Sequence, residues 1–356
     1  MPEISSKFSK TLIVWYLQNK RDLPWRNETE PYFIWLSEIM LQQTRVAQGL
    51  PYYERFVQTF PTVSDLANAS EESVLKLWQG LGYYSRARNL HHTAKVVAHE
   101  LDGSFPNSYK ELLKLKGIGD YTASAIASIC FGESSAVVDG NVYRVLSRVF
   151  GIDTPINSTA GQKEFKALAQ ELIDAEQPGT FNQAIMEFGA RHCVPQNPDC
   201  DNCIFAHRCE AKRKDRVKEL PVKTKKQKIK QRHFNYIVLL SENNETTLLE
   251  KRNGKGIWQN LYQFPLIESE TEITSEGITA NATFRKLIEE IGVREPILYN
   301  DNPVIHKLSH QHLHTKFWVV SDAENINGAV PVSEIKTYPV PVLIENFISE
   351  FPPFQN

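Results

Sequence analysis

The sequence predicts an all-α region from residue 1 to about residue 211, followed by an α+β domain over residues 233–356. In the first region, apolar residues recur at three- and four-residue spacing, which is typical of packed amphipathic helices. In the second region, short β-branched and aromatic runs are typical of strands. Between them, residues 210–232 contain eleven basic and three acidic side chains. We therefore interpret residues 212–232 as a basic interdomain linker, which is solvated and can also lie along phosphates.

The individual elements follow from local patterns. In the first region the helical segments include SEESVLKLW, RARNLHHTAKVVAHEL, YTASAIASICFG and KEFKALAQELIDA. Ser70, which precedes two glutamates, and Ser158 or Thr159 are typical helix N-caps. In the second region HFNYIVLL, TTLLEKR, LYQFPLI and TKFWVVS predict strands, and NATFRKLIEEIGV predicts one helix with a glycine near its end.

Length and composition limit the possible functions. A chain of 356 residues suggests two domains. A formal net charge of −2 argues against a uniformly basic nucleic-acid coat protein, although a local basic face remains possible. Apolar runs stay well short of the roughly 18 residues that a membrane helix needs. We see no secretory signal at the N-terminus, and an odd number of mostly clustered cysteines suits a reducing compartment. We therefore expect an intracellular protein with no membrane partner.

Four of the five cysteines follow one another with the spacing C-x6-C-x2-C-x5-C. They are Cys193, Cys200, Cys203 and Cys209. Four thiolates on one short loop can surround a zinc ion or a cubane iron–sulfur cluster. Zinc ribbons usually pair two CxxC motifs, and this stretch has only one, so it is not a typical zinc ribbon. With every position filled by cysteine, the predicted role of such a group is structural.

The segment ELLKLKGIGDYTASAI, residues 111–126, predicts two helices joined by a tight hairpin. Gly117 and Gly119 flank one aliphatic residue, which permits positive φ and close approach of another backbone. The free amides at the start of the second helix favour an anion. In a DNA-binding protein this anion would be a backbone phosphate, bound without regard to base sequence.

Together these motifs resemble the helix–hairpin–helix DNA glycosylase superfamily and, within it, the adenine DNA glycosylase (MutY) family. The resemblance extends over nearly all of residues 8–230 and continues more weakly to the C-terminus. It is carried by LPWR (23–26), WLSEIMLQQTRV (35–46), WQGLGYYSRARNL (78–90), LKGIGDYTA (115–123), VVDGNVYRVLSR (137–148), FNQAIMEFGARHC (181–193) and the remaining cysteines. It implies an all-α glycosylase region with one 4Fe–4S cluster, bound by the four cysteines of the loop.

Two carboxyl groups are the candidate catalytic residues. Glu38 lies in the apolar helical pattern IWLSEIML, where desolvation raises the pKa of a carboxyl group. The resemblance implies that Glu38 is the general acid that protonates the purine. From the bare sequence, Asp139 in VVDGN is a helix N-cap or a turn residue. The resemblance implies instead that it stabilises the sugar cation, electrostatically or by a transient covalent bond.

The resemblance also assigns Asn141 and Tyr121 to the catalytic group. Related bifunctional glycosylases carry a lysine at the position of Tyr121, and its amine forms a Schiff base with the sugar. Because tyrosine cannot form an imine, we predict a monofunctional glycosylase with little strand nicking.

Other site residues are likewise implied by the resemblance. The residues that match the adenine pocket are Leu23, Trp25, Arg26, Leu41, Gln183 and Met186. Without the resemblance, Trp25, Leu41 and Met186 would be interpreted as core residues. An adenine within a duplex must be flipped out before it can react. The residues expected to support the opened duplex or contact DNA are Gln42, Gln43, Thr44, Leu81, Tyr83, Gly117 and Gly119.

The C-terminal region resembles a Nudix domain with an incomplete Nudix box, because Lys286 and Gly277 stand where carboxylates are expected. Magnesium-dependent hydrolysis of pyrophosphates is therefore not expected, and we interpret the domain as a binding module. Leu308, Ser309 and His310 match a lesion-reading loop that usually begins with phenylalanine. The resemblance implies that this loop recognises 8-oxoguanine, together with Thr44 and Leu81. The histidines of KLSHQHLH could instead bind a metal, which we consider the weaker interpretation.

The resulting hypothesis is a monomeric enzyme that removes adenine opposite 8-oxoguanine or guanine in double-stranded DNA. One alternative is a thymine–guanine mismatch glycosylase on the same scaffold. Another is a non-catalytic iron–sulfur protein that binds DNA or senses redox state. The presence of both Glu38 and Asp139 argues against the second alternative.

Overall fold

The computed structural model describes residues 2–224, 229–289, 291, 295–323 and 326–355, with side chains from residue 7 onward. The chain divides into two compact units. Unit 1 comprises residues 1–68 and 89–225, and unit 2 comprises residues 69–88 and 226–356. The segment 69–88, which the sequence analysis placed in the helical region, therefore groups with the C-terminal residues.

Helices form the N-terminal region, which confirms the predicted all-α class. They are α1 (Pro2–Asn19), α2 (Pro31–Met40), α3 (Val46–Thr59), α4 (Val63–Asn68), α5 (Glu71–Leu77), α6 (Ser85–Glu100), α7 (Tyr109–Leu112), α8 (Asp120–Phe131), α9 (Gly140–Phe150), α10 (Thr159–Leu172), α11 (Pro178–Arg191) and α12 (Glu210–Arg213). Within the described residues, no helix is both long and apolar enough to cross a membrane.

Side-chain caps fix several of these helix starts. The hydroxyl of Ser70 accepts a hydrogen bond from the amide of Ser73, and the hydroxyl of Ser158 accepts one from the amide of Gly161. Both predicted N-caps are thereby confirmed, each satisfying one of the amides that a helix start leaves free.

The core of unit 1 is formed mainly by α1, α9, α10 and α11. Leu12, Val145, Phe165 and Phe188 are each at most 1% exposed. This core fixes the start of α9, where Asp139 lies, and it extends to the cysteine loop through buried Phe205.

Unit 2 has a mixed sheet. Its strands and helices are β1 (Lys230–Leu239), β2 (Thr246–Thr247), β3 (Glu250–Lys251), β4 (Tyr262–Gln263), β5 (Leu266–Ser269), α13 (Ser275–Ala280), α14 (Ala282–Glu289), β6 (Ile297–Leu298), β7 (Val304–Lys307), β8 (Gln311–Val320), β9 (Val330–Pro331) and α15 (Val342–Glu350). The main sheet has the order β5-β1-β8-β6, with β7 also paired to β8. Strands β1 and β8 run parallel, and the other pairings are antiparallel.

Two strand predictions were wrong in detail. TTLLEKR forms two short strands, β2 and β3, which pair with β9 and β4 respectively. LYQFPLI is likewise divided between β4 and β5. Proline interrupts the second run and cannot donate a ladder hydrogen bond. The glycine predicted near the end of the α14 segment, Gly292, and linker residues 225–228 lie outside the described residues.

Candidate active site

Unit 1 contains a cavity of about 470 Å³ that brings many of the candidate site residues together. The candidates that line it are Leu23, Trp25, Arg26, Glu38, Leu41, Thr44, Tyr121, Asp139, Asn141, Gln183 and Met186. Arginines and a glutamate that the sequence analysis did not select also line it, namely Arg21, Arg45, Arg144 and Glu187. The cavity therefore combines apolar walls with several convergent charged groups, which is the usual character of a ligand site.

Glu38 lies on α2, most of whose residues are buried, and is itself 8% exposed. Burial raises the pKa of this carboxyl group, and the negative charge of Asp139 acts in the same direction. A hydrogen bond with Tyr121 and the charge of Arg26 oppose the rise without cancelling it. The environment therefore favours the protonated acid, as a proton donor near neutral pH requires.

The Tyr121 hydroxyl connects Glu38 with Met186. Its oxygen lies 3.1 Å from the Met186 sulfur, to which it donates, and it also shares a hydrogen bond with Glu38. Burial and the charge of Glu38 raise the pKa of Tyr121 well above its usual range, so the phenol keeps its single proton. When that proton points to Met186, the phenol oxygen can only accept from Glu38. When the proton points to Glu38 instead, the phenol stabilises the ionised carboxylate, which is why this hydrogen bond opposes the rise in the pKa of Glu38.

Asp139 is the N-cap of α9, which confirms the structural role predicted from the bare sequence. Its Oδ1 accepts from the backbone amides of Asn141 and Val142, each at 2.8 Å. Its Oδ2 accepts from the Asn141 side chain at 2.8 Å. Burial raises the pKa of Asp139, while these donors and the charge of Arg144 oppose the rise. All three groups donate, so they hold the carboxyl group in one orientation and favour its ionised form, although burial outweighs them and the pKa of Asp139 stays above its usual value.

Arg144 supports this arrangement by binding the Asn141 side chain. Its guanidinium donates to Oδ1 of Asn141 at 2.8 Å and to the carbonyl of Gly189 at 2.6 Å. Its Nε donates to the carbonyl of Cys193 at 2.7 Å. Arg144 therefore ties the residue that holds Asp139 to the first residue of the cysteine loop.

The surroundings of Glu187 shift its pKa in the opposite direction to that of Glu38. Burial alone would raise the pKa of Glu187, but hydrogen bonds from Arg21 and the charges of Arg26 and Arg21 outweigh it and hold the pKa below its usual range. The closest contacts are 2.6 Å to Arg21 and 3.0 Å to Arg26. One cavity therefore holds a glutamate whose protonated form is favoured and another whose ionised form is favoured.

Two polar candidates for the base pocket belong to the same network. Arg26 donates to the Tyr16 hydroxyl at 2.9 Å, and that hydroxyl donates to Oε1 of Gln183 at 2.6 Å. Because Oε1 of Gln183 is occupied, its NH₂ group is the part oriented as a donor. Arg26 and Gln183 were predicted as site residues from the sequence, but Glu187 and Tyr16, which hold them by these hydrogen bonds, were not.

The four cysteines lie close together. Burial raises the pKa of the Cys203 thiol, and the neighbouring Cys193, Cys209 and Cys200 act in the same direction. Arg148 directs Nη1 to the Cys193 sulfur at 3.5 Å, and the amide of Phe205 is 3.4 Å from the Cys203 sulfur. In the described part of the chain, no set of three or more His, Cys, Asp or Glu side chains has the geometry of a metal-ion site. The donor set itself, four thiols with N–H groups directed at sulfur, fits an iron–sulfur group.

The predicted hairpin is present between α7 and α8. Gly117 adopts a φ of +82°, and an added Cβ would lie only 2.7 Å from the Cβ of Asn89. Gly119 is the N-cap of α8, and a Cβ added there would meet no atom within 4 Å. From a distant part of the sequence, Gln42 donates to the Thr122 hydroxyl on α8 at 3.2 Å, while Gln43 is exposed with a φ of +56°. Gln42, Gln43 and the hairpin glycines lie in unit 1 but do not line the cavity.

The remaining candidates belong to unit 2. Tyr83 is 46% exposed and has a φ of +48°, whereas Leu81 is only 4% exposed. Ser309 and His310 are exposed in the turn between β7 and β8, and Leu308 is half-buried. The Leu308 amide donates to the carbonyl of Gln311 at 2.9 Å, which closes this turn.

Comparison with known proteins agrees with this fold and site. Residues 36–174 match the HhH-GPD superfamily of base excision DNA repair proteins, and residues 235–350 match the NUDIX domain. A thermostable thymine-DNA glycosylase has a similar structure, with 30% identity and a TM-score of 0.55 over 59% of this chain and 97% of that chain. An endonuclease III–DNA complex, at 21% identity, has a TM-score of 0.52 over 60% of this chain and 98% of that one. Its likeness shows the fold alone. The molecule is therefore a DNA glycosylase of the helix–hairpin–helix class with a Nudix-like domain.

Sequence relatives define the family more narrowly. Over 315 residues the chain is 36% identical to an adenine DNA glycosylase of Buchnera aphidicola subsp. Baizongia pistaciae, which covers 88% of this chain and 86% of that protein. A second Buchnera relative, from subsp. Acyrthosiphon pisum, is 31% identical over 92% of this chain and 96% of its own length. The human adenine DNA glycosylase is 47% identical over 222 residues, 60% of this chain and 41% of that protein. The chain belongs to the adenine DNA glycosylase family, and it is an enzyme that hydrolyses N-glycosidic bonds.

Proposed function

We propose that this enzyme is a monofunctional glycosylase that removes adenine opposite 8-oxoguanine, and opposite guanine, in double-stranded DNA. The observation that carries the proposal is the pairing of two carboxyl groups in one cavity. Glu38 is held in surroundings that favour its protonated form, and Asp139 accepts three N–H hydrogen bonds. Cleavage of a glycosidic bond needs such a pair, one group to protonate the leaving group and one to stabilise the sugar cation.

The reaction follows from these two environments. Glu38 donates its proton to the purine ring, and the bond between the base and C1′ of the sugar breaks with its electron pair leaving on the base. The negative charge of Asp139 stabilises the oxocarbenium ion that remains. Glu38, now ionised, accepts a proton from the water that attacks C1′. The products are free adenine and an abasic site, and the enzyme regains its starting protonation state.

The absence of an imine-forming amine supports a monofunctional reaction. Among the described residues that line the cavity, the cations are arginines and none is lysine. Tyr121 occupies the position between Glu38 and Met186 and cannot form a Schiff base. The abasic product therefore leaves without cleavage of the strand.

The cavity walls suit a flipped purine. Trp25, Leu41 and Met186 supply apolar and polarisable surface, and Arg26 and Gln183 supply oriented donors. Gln42, Gln43 and Tyr83 would support the opened duplex, and the amides beside Gly117 and Gly119 would contact a phosphate. We assign recognition of 8-oxoguanine to Leu308, Ser309 and His310, with Thr44 and Leu81 as further contacts.

We further propose that Cys193, Cys200, Cys203 and Cys209 hold one 4Fe–4S cluster. With four cysteine ligands the cluster supplies structural order to the loop and leaves no position for substrate. Of the basic residues that follow, Arg213 and Lys214 both pair with Glu210, at 2.6 and 3.1 Å, so their charge toward DNA is partly offset. Iron and acid-labile sulfide in equal amounts in anaerobically purified protein would support the cluster, whereas stoichiometric zinc would refute it.

Thymine–guanine mismatch activity is a second candidate, because a thymine-DNA glycosylase has a similar structure at 30% identity. Single-turnover assays on duplexes with adenine opposite 8-oxoguanine, adenine opposite guanine and thymine opposite guanine distinguish the two. Release of adenine, fastest opposite 8-oxoguanine, supports the proposal. Release of thymine but not adenine would refute it, and loss of adenine release in Glu38→Gln would link the activity to this site.

A further inference from the structure

The inserted segment, residues 69–88, carries the Tyr83 tip of unit 2 (residues 80–83). Arg86 stabilises the tip, because its guanidinium donates to the carbonyls of Leu81 and Gly82 at 3.2 and 3.0 Å. The same group lies 5.2 Å from the Trp78 ring and 5.6 Å from the Tyr83 ring. The tip is therefore fixed relative to the helices of its own segment.

The inserted segment is attached to the C-terminal residues by polar contacts at several points. Glu72 accepts from Lys251 and from the Tyr262 hydroxyl, both at 2.8 Å. Glu71 accepts from the side-chain amide of Asn260 at 2.6 Å. Farther along the segment, Arg88 donates to the carbonyl of Gln259 at 2.8 Å.

Two of these contacts come from the Trp258 loop, which we define as residues 252–261 between β3 and β4. Trp258 and Asn260 both have left-handed backbones, with φ values of +60° and +66°. This conformation is costly for a tryptophan and is kept only where surrounding contacts fix it. The loop is closed by reciprocal bonds between Arg252 and the 260–261 backbone, at 2.8 and 2.9 Å.

The other side of the same loop faces the strand that leads to the lesion-reading turn. The Trp258 ring lies 5.6 Å from the ring of His306 on β7, and Trp258 is 7% exposed. Strand β7 ends at Lys307, directly before Leu308, Ser309 and His310. A continuous set of contacts therefore connects the inserted segment, the Trp258 loop and the turn that bears Ser309.

We propose that the Trp258 loop is a specificity-determining positioning element, in which Asn260 holds the inserted segment and Trp258 holds the strand of the lesion-reading turn. The loop thereby fixes the distance between the Tyr83 tip and Ser309. A damaged base pair has to contact both of them at the same time. This inference rests on the proposed recognition of 8-oxoguanine. Disturbing the contact between Asn260 and Glu71 lowers the preference for the damaged pair more than it lowers excision itself.

A double-mutant cycle tests this proposal. Asn260→Asp tolerates the left-handed backbone but places a carboxylate against Glu71, while Glu71→Gln alone retains an acceptor for Asn260. The double variant restores the hydrogen bond with donor and acceptor exchanged. The readout is the ratio of single-turnover excision rates for adenine opposite 8-oxoguanine and opposite guanine. We expect Asn260→Asp to lower this ratio by about 3-fold to 30-fold, Glu71→Gln to stay near wild type, and the double variant to recover to within about 2-fold.

A matched control introduces a like-charge contact elsewhere in unit 2. Glu272→Lys replaces the 2.6 Å ion pair with Lys316 by two positive charges and leaves the Trp258 loop intact. It should lower the melting temperature but leave the ratio unchanged. A ratio that stays at the wild-type value in Asn260→Asp overturns the positioning role, and so does a double variant that fails to recover. Absence of any preference in wild-type protein overturns the proposed lesion specificity itself, and this inference with it.

Discussion

Replacing Glu38 by glutamine separates the proton-donating role of this side chain from its packing role. Glutamine has nearly the same shape and can still hydrogen-bond to the Tyr121 hydroxyl, but it has no ionisable proton. A positioned acid contributes about 10²–10⁴ to the rate of a reaction, which corresponds to about 3–5 kcal/mol of activation free energy. We expect single-turnover release of adenine to fall by at least about 100-fold, with the affinity for DNA unchanged.

The same substitution should make the protein more stable. Because burial raises the pKa of Glu38 above the usual 4.5, folding favours the protonated form. The folded state therefore loses stability as pH rises from the pKa of the unfolded carboxyl towards the raised value. Glutamine does not ionise and avoids this loss. Glu38→Gln should melt above wild type at pH 8, and the difference should shrink as the pH falls to about 4.

Glu187→Gln is the matched control, since this glutamate lines the same cavity with its pKa lowered by Arg21 and Arg26 despite burial. Its contribution to stability is present above the unfolded pKa and is lost as pH falls through the folded one. Breaking a buried ion pair costs about 3–5 kcal/mol, and we expect the lower end because Arg21 is 33% exposed. This variant should therefore melt below wild type at pH 8.

Circular-dichroism melting at pH 4 and pH 8, combined with a pH–rate profile, measures both effects. In wild type the rate should fall as pH rises through the raised pKa of Glu38, because only the protonated acid donates. Glu38→Gln should lack that limb of the profile. A variant that keeps its excision rate within about tenfold of wild type would show that Glu38 is not the proton donor. A variant that melts below wild type at pH 8 would show that folding does not favour protonated Glu38.

Three further substitutions probe the remaining groups. Asp139→Asn keeps Oδ1 as the acceptor for the amides of Asn141 and Val142 but loses the acceptor for the Asn141 side chain, so the melting temperature should fall only modestly. Loss of the charge slows adenine release by at least about 100-fold; a large drop in melting temperature would contradict this separation. Tyr121→Lys introduces an amine at the reacting sugar, and it should yield nicked strands and a borohydride-trapped complex that wild type does not form. Arg144→Leu removes the bond to Asn141 together with the bonds to the carbonyls of Gly189 and Cys193, and it should slow excision about tenfold; unchanged excision would show that Asp139 needs no such support.

Local patterns were sufficient to predict Asp139 as an N-cap, because a helix start depends on a few neighbouring residues. They could not show that it faces Glu38 across a cavity, and only the family resemblance indicated a chemical role. Glu38 was recognisable from its apolar helix, since desolvation follows from the pattern around it.

Glu187 shows the limit of this reasoning. In the sequence it is one charged residue in a helix, and its partners Arg21 and Arg26 lie 166 and 161 positions away. Such pairs are made by tertiary packing, which periodicity does not encode. The same holds for β2 to β5, where an apolar run predicts extended backbone but not which strand each half pairs with.

The grouping of residues 69–88 with the C-terminal residues means that the chain passes between the two units three times, near residues 68, 88 and 225. Proteolysis in the basic linker would therefore cut only one of the three chain segments that connect the units. It would not release the two units as separate fragments. A fragment that stops before residue 226 keeps Glu71 and Glu72 but loses Asn260, Lys251 and Tyr262, to which they bond. The boundary between the two units of this enzyme is thus set by tertiary contacts and not by the linker alone. Truncation of the gene at the linker would leave each product without some of the hydrogen-bonding partners that its residues have in the full chain.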